Sequence, residues 1–165
     1  MMIDIGLFSL EVLAVEDLRI CPVDEGNWRQ LIALEPAERQ KRFIESNHVS
    51  LLESVFDKEN SWTCYGLFRG ETAVGFMMIG AENSEEGYIW LDRFMIDKNH
   101  QAQGLGSAFV QKAIDYITAH FDVSEIVLSV TKENEKAKQF YEKQGFINSG
   151  LIDPEYDEEI FTYRM

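Results

Sequence analysis

The sequence predicts a single mixed α/β domain, in which helices flank a mostly antiparallel sheet. The chain has 165 residues, and 45% of them are hydrophobic, which is enough for one core. Short apolar runs alternate along the chain with segments of helical spacing. Three consecutive strand-like runs come before a helix–strand–helix–strand order. The consecutive runs favour antiparallel pairing, and the alternating order favours βαβ units with a parallel pair.

Local patterns justify the individual elements. Helical spacing of apolar residues predicts a long helix over Glu38–Phe56, and the β-branched run Ile126–Val130 predicts a strand. Gly70 joins two strands, and Gly145 suits a left-handed cap after the last helix. The predicted strands are Leu18–Val23, Trp62–Arg69, Ala73–Gly80, Tyr88–Ile96, Ile126–Val130, Phe146–Ile147 and Ile160–Met165, and the predicted helices are Asn27–Leu34, Glu38–Phe56, Ser107–His120 and Asn134–Gln144.

The predicted domain spans residues 18–165, and residues 1–17 form an N-terminal extension of unknown role. An edge strand, a dimer arm and a tail all stay open for this extension. It carries Asp4 and Glu11 and lacks a basic start, which argues against a secretory signal. The isolated Cys21 and Cys64 favour a reducing compartment. We therefore expect a cytoplasmic protein without a membrane span.

The chain is strongly acidic, with 29 acidic and 15 basic side chains and a formal net charge of -14. Such a surface repels nucleic acid and anionic membrane, so we expect neither as a partner. It attracts cations, including polyamines, although the charge also serves solubility. His48, His100 and His120 share no spacing, so we predict no metal site.

The most informative segment is the glycine-containing loop between the strand Tyr88–Ile96 and the following helix. A helix N-terminus offers unpaired N–H groups and partial positive charge, and glycine lets a bulky anion approach the backbone. A tight turn alone would also use glycine. The loop predicts a site for a phosphate-containing ligand, formed by Gln101, Ala102, Gln103, Gly104, Leu105, Gly106 and Ser107.

Two blocks of the sequence resemble the GNAT superfamily of N-acetyltransferases. Gln101-x-x-Gly104-x-Gly106 is similar to that family's motif for the pyrophosphate of acetyl-CoA, and Asn134–Phe146 is similar to its second cofactor motif. Two shorter segments, Trp90–Phe94 and Phe43–Ser46, resemble bacterial diamine and polyamine (spermine/spermidine) N-acetyltransferases. The resemblance implies transfer of an acetyl group from acetyl-CoA to a primary amine of a small cationic acceptor, by direct attack in a ternary complex.

The resemblance also implies where the cofactor binds. The parallel fourth and fifth strands, Trp90–Ile96 and Ile126–Val130, would splay apart and hold the pantetheine arm between them. The arm would pair with the free edge of the fourth strand, formed by Phe94, Met95 and Ile96. A backbone N–H of the same segment would hold the oxyanion of the reaction. Asn134 would bond the pantetheine arm or cap its own helix, and both roles can coexist.

Tyr141 is the predicted general acid, because a tyrosine hydroxyl is protonated at neutral pH and can donate to the thiolate. Core packing is the alternative role. Asp92 is the predicted general base or amine anchor, because strand alternation places it with Trp90 and Phe94 and opposite Arg93. Pairing of Asp92 with Arg93 is the alternative for that residue. Glu53 and Glu35 are further candidate carboxylates for the acceptor site. The aromatic residues that could line a channel for the amine are Trp62, Tyr65, Trp90 and Phe94.

Other readings of the same motifs stay open. The acceptor could be a protein N-terminus, a lysine or an aminoglycoside-type antibiotic, because an acidic protein suits polycations of all these kinds. A cofactor-binding sensor without turnover is a rival from another class, although it would have no need of the Tyr141 hydroxyl. A homodimer is a further expectation from similar proteins.

Overall fold

A computed structural model describes residues 17–165. Within them a seven-stranded sheet has the order β1-β2-β3-β4-β5-β7-β6. Its strands are β1 (Leu18–Pro22), β2 (Thr63–Arg69), β3 (Thr72–Asn83), β4 (Tyr88–Ile96), β5 (Glu125–Val130), β6 (Ile147–Ile152) and β7 (Glu159–Arg164). The helices are α1 (Trp28–Ile32), a 3-10 helix (Glu38–Phe43), α2 (Asn47–Phe56), α3 (Leu105–His120) and α4 (Glu135–Lys143).

The strand directions confirm the predicted mixed α/β class. Strands β1 to β4 pair antiparallel in chain order; short turns join β2 to β3 and β3 to β4, whereas α1, the 3-10 helix and α2 lie between β1 and β2. Strand β4 then pairs parallel with β5, and α3 makes the crossover between them. Strand β7 pairs antiparallel with both β5 and β6, which leaves β6 at the edge of the sheet.

The helices divide into two layers, one on each face of the sheet. On one face, α3 and α4 pack on the larger core cluster, which includes Phe109, Ile117 and Phe146. On the other face, α1 and α2 pack on a smaller cluster that includes Leu31 and Phe76. Strands β2 and β3 contribute side chains to both clusters, so they are buried on both faces. This explains their nearly continuous apolar runs.

The predicted long helix Glu38–Phe56 is wrong, because the chain divides there into a 3-10 helix and α2. Ile44 is extended, with φ -147° and ψ 136°, and this ends the 3-10 helix. The Ser46 hydroxyl then accepts a hydrogen bond from the Val49 N–H at 3.3 Å and starts α2. The apolar spacing continues across both helices and therefore does not show the boundary between them. The signal in the sequence that marks this boundary is Ser46, the N-cap of α2.

Several other boundaries differ from the predicted ones. Helix α1 is shorter than predicted, β3 runs on to Asn83, and α3 begins at Leu105 rather than at Ser107. Strand β6 continues to Ile152, and all of its side chains are exposed, so it lacked the apolar signal that marks a half-buried strand. Gly145 has φ +97°, which agrees with the predicted left-handed conformation after the last helix.

Strands β4 and β5 separate after a short pairing, as predicted. Only Tyr88, Ile89 and Trp90 of β4 have partners on β5. From Leu91 onward β4 pairs with β3 alone, and from Leu128 onward β5 pairs with β7 alone. The two strands thus form a wedge that opens toward their carboxyl ends.

A β-bulge in β4 overturns the predicted placement of Asp92. Met78 and Ile79 on β3 pair with Arg93 and Leu91, so Asp92 is an extra residue in β4. The bulge reverses the alternation of side chains, and both Leu91 and Phe94 pack on the α3/α4 face. Strict alternation, which put Phe94 with Asp92 and opposite Leu91, is therefore wrong at this point of the strand.

The predicted N-terminal extension, apart from Asp17, lies outside the described residues. The Asp17 carbonyl accepts a hydrogen bond from the Gly70 N–H at 3.0 Å, which fastens the start of β1 to the β2–β3 turn. Among residues 17–165, no helix has the length and apolar character needed to cross a bilayer.

Candidate active site

A cavity of about 930 Å³ occupies the open end of the β4–β5 wedge. The predicted cofactor residues that line it come from β4, from the loop before α3 and the first turn of α3, and from α4 with its N-cap. They are Phe94, Met95, Ile96, Gln101, Ala102, Gly104, Leu105, Gly106, Ser107, Asn134 and Tyr141. The wedge therefore brings together two sequence blocks that are about thirty residues apart.

The loop before α3 has the conformation that an anion cradle requires. Gly104 has φ +76°, and a Cβ there would meet nothing within 4 Å, so the loop is open on that side. The first hydrogen bond into the helix runs from the Ala108 N–H to the Gly104 carbonyl at 3.2 Å. The N–H groups of Leu105 to Ser107 consequently have no acceptor within α3 and are available to a phosphate.

Two glutamine side chains of the loop have different partners. Gln101 Nε2 donates to the Ile96 carbonyl at 2.9 Å and to Gln40 Oε1 at 2.8 Å, which ties the loop to the end of β4. Gln103 Oε1 accepts from Arg69 Nη1 at 3.1 Å, and its side chain does not line the cavity. Gln101 therefore shapes the site, whereas the Gln103 side chain fastens the outside of the loop.

Asn134 caps helix α4, which was one of its two predicted roles. Its Oδ1 accepts a hydrogen bond from the Ala137 N–H at 3.3 Å. The residue also lines the cavity, next to the exposed Lys136. Lys136 and Arg42 line the cavity and form no ion pair within residues 17–165, so both are free to meet an anion.

Tyr141 lies on α4 and faces the cavity from the α3/α4 side of the sheet. Its ring packs edge-on against Phe140 and Phe146, at centroid distances of 5.1 and 5.5 Å. Burial raises the pKa of Tyr141 well above its ordinary value. The hydroxyl is therefore protonated across the neutral range, and the observed packing is compatible with the predicted acid role.

Asp92, Arg93 and Glu53 form an ion-paired network on the α2 face of the cavity. Arg93 Nη1 contacts Asp92 Oδ2, and Arg93 Nη2 lies 3.1 Å from Glu53 Oε2. The bulge makes this possible, because the extra residue lets both Asp92 and Arg93 lie on the α2 side of β4. The alternative pairing of Asp92 with Arg93 is thus the one observed, and Arg93 is a site residue that strand alternation had excluded.

Glu35, another predicted carboxylate, lies outside the cavity. Its Oε2 is 2.9 Å from Lys98 Nζ and 3.7 Å from Lys41 Nζ. The hydrogen bond from Lys98, together with the charge of Lys41, lowers the pKa of Glu35. The structure separates this residue from the other candidates and gives it two surface ion pairs.

The predicted channel aromatics divide between cavity and core. Trp62, Trp90 and Phe94 line the cavity, and Trp62 Nε1 donates to Asp57 Oδ2 at 2.9 Å. Tyr65 is buried instead, with its ring 5.2 Å from that of Tyr116. Three of the four aromatics can therefore contact a ligand, and two are tryptophans, whose faces attract cations most strongly.

The loop between β6 and β7 forms a further wall that the sequence did not reveal. Asp153, Glu155, Tyr156 and Glu158 line the cavity. The loop has no helical or strand periodicity, and it reaches the wedge only because β7 inserts between β5 and β6. Sequence spacing carries no signal for that insertion.

Comparison with known proteins identifies the family. The model of the acetyltransferase (GNAT) family matches residues 26–146, which is more than half of the chain and includes both cofactor blocks. The chain belongs to the GNAT acetyltransferase family. The protein is therefore an N-acetyltransferase. The loop before α3 and Tyr141 both lie within the residues that the family model matches.

Individual relatives narrow the similarity of this GNAT acetyltransferase. It is 30% identical over 146 residues to the spermine/spermidine N(1)-acetyltransferase of Bacillus subtilis (strain 168), covering 82% of this chain and 91% of the relative. Its fold is similar to that of the spermidine N-acetyltransferase from Vibrio cholerae in complex with CoA and spermine, with a TM-score of 0.71, 18% identity, and coverage of 90% of this chain and 96% of the other. A dodecameric structure of the Vibrio cholerae enzyme gives a TM-score of 0.67 at 18% identity, covering 90% and 94%.

Proposed function

We propose that this acetyltransferase transfers the acetyl group of acetyl-CoA to a primary amine of a diamine or polyamine, such as spermidine or spermine. The observation that carries the proposal is the single cavity in the β4–β5 wedge. The cavity joins the N-terminus of α3 to a wall of carboxylates and tryptophans. A phosphate-bearing cofactor and a cationic acceptor can therefore bind in one cavity, each entering it from a different face of the sheet.

The residues of the wedge fit the chemical groups of acetyl-CoA. The open N–H groups of Leu105 to Ser107 suit a pyrophosphate. The edge of β4 from Phe94 to Ile96 has no partner on β5, although Gln101 binds the Ile96 carbonyl, and this edge suits the amides of a pantetheine arm. Arg42 and Lys136 offer positive charge to further phosphate. No protein strand competes for this edge of β4 within residues 17–165.

The proposed reaction needs two proton-handling groups. The neutral amine nitrogen attacks the thioester carbonyl carbon, the C–S bond breaks, and Tyr141 donates its hydroxyl proton to the departing sulfur. The proton of the attacking amine passes to Asp92, directly or through water. Arg93, which is also paired with Glu53, holds Asp92 in place on the acceptor side. Both substrates are bound together in this scheme, so no covalent acetyl-enzyme forms.

Three features support a small polycation as the acceptor. The chain has a net charge of -14, the acceptor side of the cavity carries Asp92, Glu53 and Glu158, and Trp62 and Trp90 can face a cation. The Bacillus subtilis relative is a spermine/spermidine N(1)-acetyltransferase.

Thiol release from acetyl-CoA with a panel of amines tests the proposal. The panel contains spermidine, spermine, a short diamine, a lysine-containing peptide and an aminoglycoside. Rapid release with the polyamines and slow release with the peptide and the antibiotic are expected. Faster thiol release with the peptide or the aminoglycoside would show that the acceptor is not a polyamine. Tight binding of acetyl-CoA without thiol release in the presence of any amine would favour a sensor.

We also propose a compartment for the protein. The free thiols of Cys21 and Cys64 support a reducing compartment, the cytoplasm.

The edge strand β6 supports a proposal about assembly. Its exposed Ile147 and Leu151 support a homodimer through this edge. Sedimentation at micromolar concentration checks the second proposal, and a monomer at every concentration would contradict it.

A further inference from the structure

The carboxylates that line the cavity differ in what already binds them. Glu53 and Asp92 share Arg93, and Asp57 and Asp153 accept hydrogen bonds from nearby groups of their own turns. Glu53 and Asp92 are thus ion-paired, Asp57 has four donors on its two oxygens, and Asp153 uses Oδ1 to close its own turn. The remaining ones, Glu45, Glu155 and Glu158, form no ion pair within residues 17–165, and of these only Glu158 is half-buried.

Two hydroxyl groups hold the Glu158 carboxylate in a fixed position. Ser129 Oγ donates to Oε2 at 2.6 Å, and Thr131 Oγ1 donates to Oε1 at 2.8 Å. Each carboxylate oxygen keeps a further lone pair for another donor. The neutral hydroxyls orient the group but leave its charge uncompensated, which is costly for a half-buried carboxylate unless a cation arrives.

Glu158 lies on the acceptor side of the sheet. Leu128 and Val130 of β5 pack on the α3/α4 core, so alternation directs Ser129 to the opposite face, where α2 lies. The Asp92–Arg93–Glu53 network is on that same face, as the contact with Glu53 of α2 shows. Tyr141 approaches the wedge from the α3/α4 face. Glu158 is thus separated by the sheet from the proposed acid and faces the space left for the acceptor.

We infer that Glu158 binds a protonated nitrogen of the acceptor other than the one that is acetylated. A nitrogen must lose its proton before it attacks, whereas a nearby carboxylate stabilises the protonated form. An unpaired carboxylate therefore suits a nitrogen that keeps its charge throughout the reaction. Glu158 selects acceptors with at least two amino groups, and Ser129 and Thr131 position it. This inference rests on the proposed acetylation of polyamines.

Kinetics of Glu158→Gln with two acceptors that share a four-carbon chain test this role. For 1,4-diaminobutane, the variant raises KM about tenfold or more, as expected for loss of one charge-assisted hydrogen bond. For butylamine, which has no second cation, KM changes less than about twofold. The KM for acetyl-CoA is unchanged with either acceptor. Glu158→Asp, which keeps the charge, recovers part of the loss.

Asp157→Asn is the matched control, because it removes the same charge from the same loop. Asp157 is exposed, is paired with Lys132 and does not line the cavity. It has φ +56°, which asparagine adopts readily. This variant should keep the wild-type KM for both amines. Thermal unfolding of each variant shows whether a change in KM reflects a change in stability.

Calorimetric titration of spermidine into the CoA-loaded protein supplies a readout without turnover. Weaker binding by about tenfold in Glu158→Gln, with wild-type binding in Asp157→Asn, supports the inference. Equal diamine KM in wild type and Glu158→Gln, or an equal loss for butylamine, overturns it while polyamine acetylation stands. If the wild-type protein acetylates no amine, the proposed function itself fails.

Discussion

Tyr141 shows how one side chain can serve packing and chemistry together. Its ring contacts Phe140 and Phe146 in the core, and its hydroxyl end lies at the cavity. Within residues 17–165 the hydroxyl has no hydrogen-bond partner, and burial alone raises its pKa. The hydroxyl therefore carries its proton at neutral pH, as the proposed acid role requires, and no protein acceptor within residues 17–165 binds that proton.

Replacing Tyr141 by Phe should lower kcat by about 100-fold or more, because the variant removes the hydroxyl that we propose as the general acid. The folding midpoint in urea should stay close to wild type, since the ring contacts are kept. Steady-state thiol release and urea unfolding measure the two effects. A variant with full kcat at every pH would remove Tyr141 from the acid role.

The raised pKa of Tyr141 also predicts a pH profile. The active form of an acid is the protonated one, and it is present below the pKa, which lies above the ordinary value of 10.0. Ionisation of Tyr141 should therefore cause no loss of kcat between pH 7 and about 10. A fall in kcat with a midpoint inside that range, absent from Tyr141→Phe, would contradict the predicted protonation state.

Arg93 holds two carboxylates together on the acceptor side, and its loss should destabilise the fold. Arg93→Met leaves Asp92 and Glu53 close together without a cation, in a region where the Arg93 side chain is 16% exposed. A decrease in unfolding free energy of about 2 kcal/mol is expected, since partial exposure reduces the cost of a fully buried unpaired charge. Arg19→Met, which breaks an exposed pair with Glu71, is the control and should cost less than about 1 kcal/mol. Equal losses in the two variants would rule out a special role for Arg93.

At the scale of elements, the local signals predicted β4, β5, α3 and the cap of α4 to within about two residues. Strand β4 has the predicted bounds, and α4 begins after its predicted Asn134 cap. These elements carry strong local chemistry: long apolar runs, helical spacing and an N-cap. Such signals act within one turn or one strand, so sequence alone can reveal them.

The parts of the site that escaped prediction depend on pairing between distant segments. The bulge at Asp92 is a mismatch of register between β3 and β4, and neither strand records it alone. Glu158 reaches the cavity because β7 lies beside β5, which no spacing in the loop encodes. The splayed strands were expected from the resemblance to GNAT enzymes, and not from the apolar pattern of either strand.

Substitutions at Gly104, at the start of α3, test whether the loop needs a left-handed backbone conformation for stability and for cofactor binding. Its φ of +76° strains any residue with a Cβ, yet the space around it is open. Gly104→Ala should therefore lose about 1 kcal/mol of stability and raise the KM for acetyl-CoA. Gly104→Asn, which tolerates this φ better, should lose less of both. If alanine and asparagine behave like glycine in urea unfolding and in KM, the loop does not depend on the left-handed conformation.

At the scale of the whole molecule, the sheet separates two kinds of chemistry. The α3/α4 face supplies the helix N-terminus and Tyr141, and the α1/α2 face supplies the carboxylates and Arg93. The wedge is the one opening in the described sheet through which groups on the two faces can meet, because the other neighbouring strands stay paired. The proposed ternary complex uses this arrangement, with one substrate reaching the wedge from each face.

Initial rates of CoA release, with acetyl-CoA and spermidine both varied, test this central claim most directly. A ternary complex in the wedge predicts double-reciprocal lines that intersect, with one acetylated amine formed for each CoA released. Parallel lines would indicate that the acetyl group leaves the cofactor before the amine binds. Parallel lines, or CoA release that is independent of spermidine, would contradict the account.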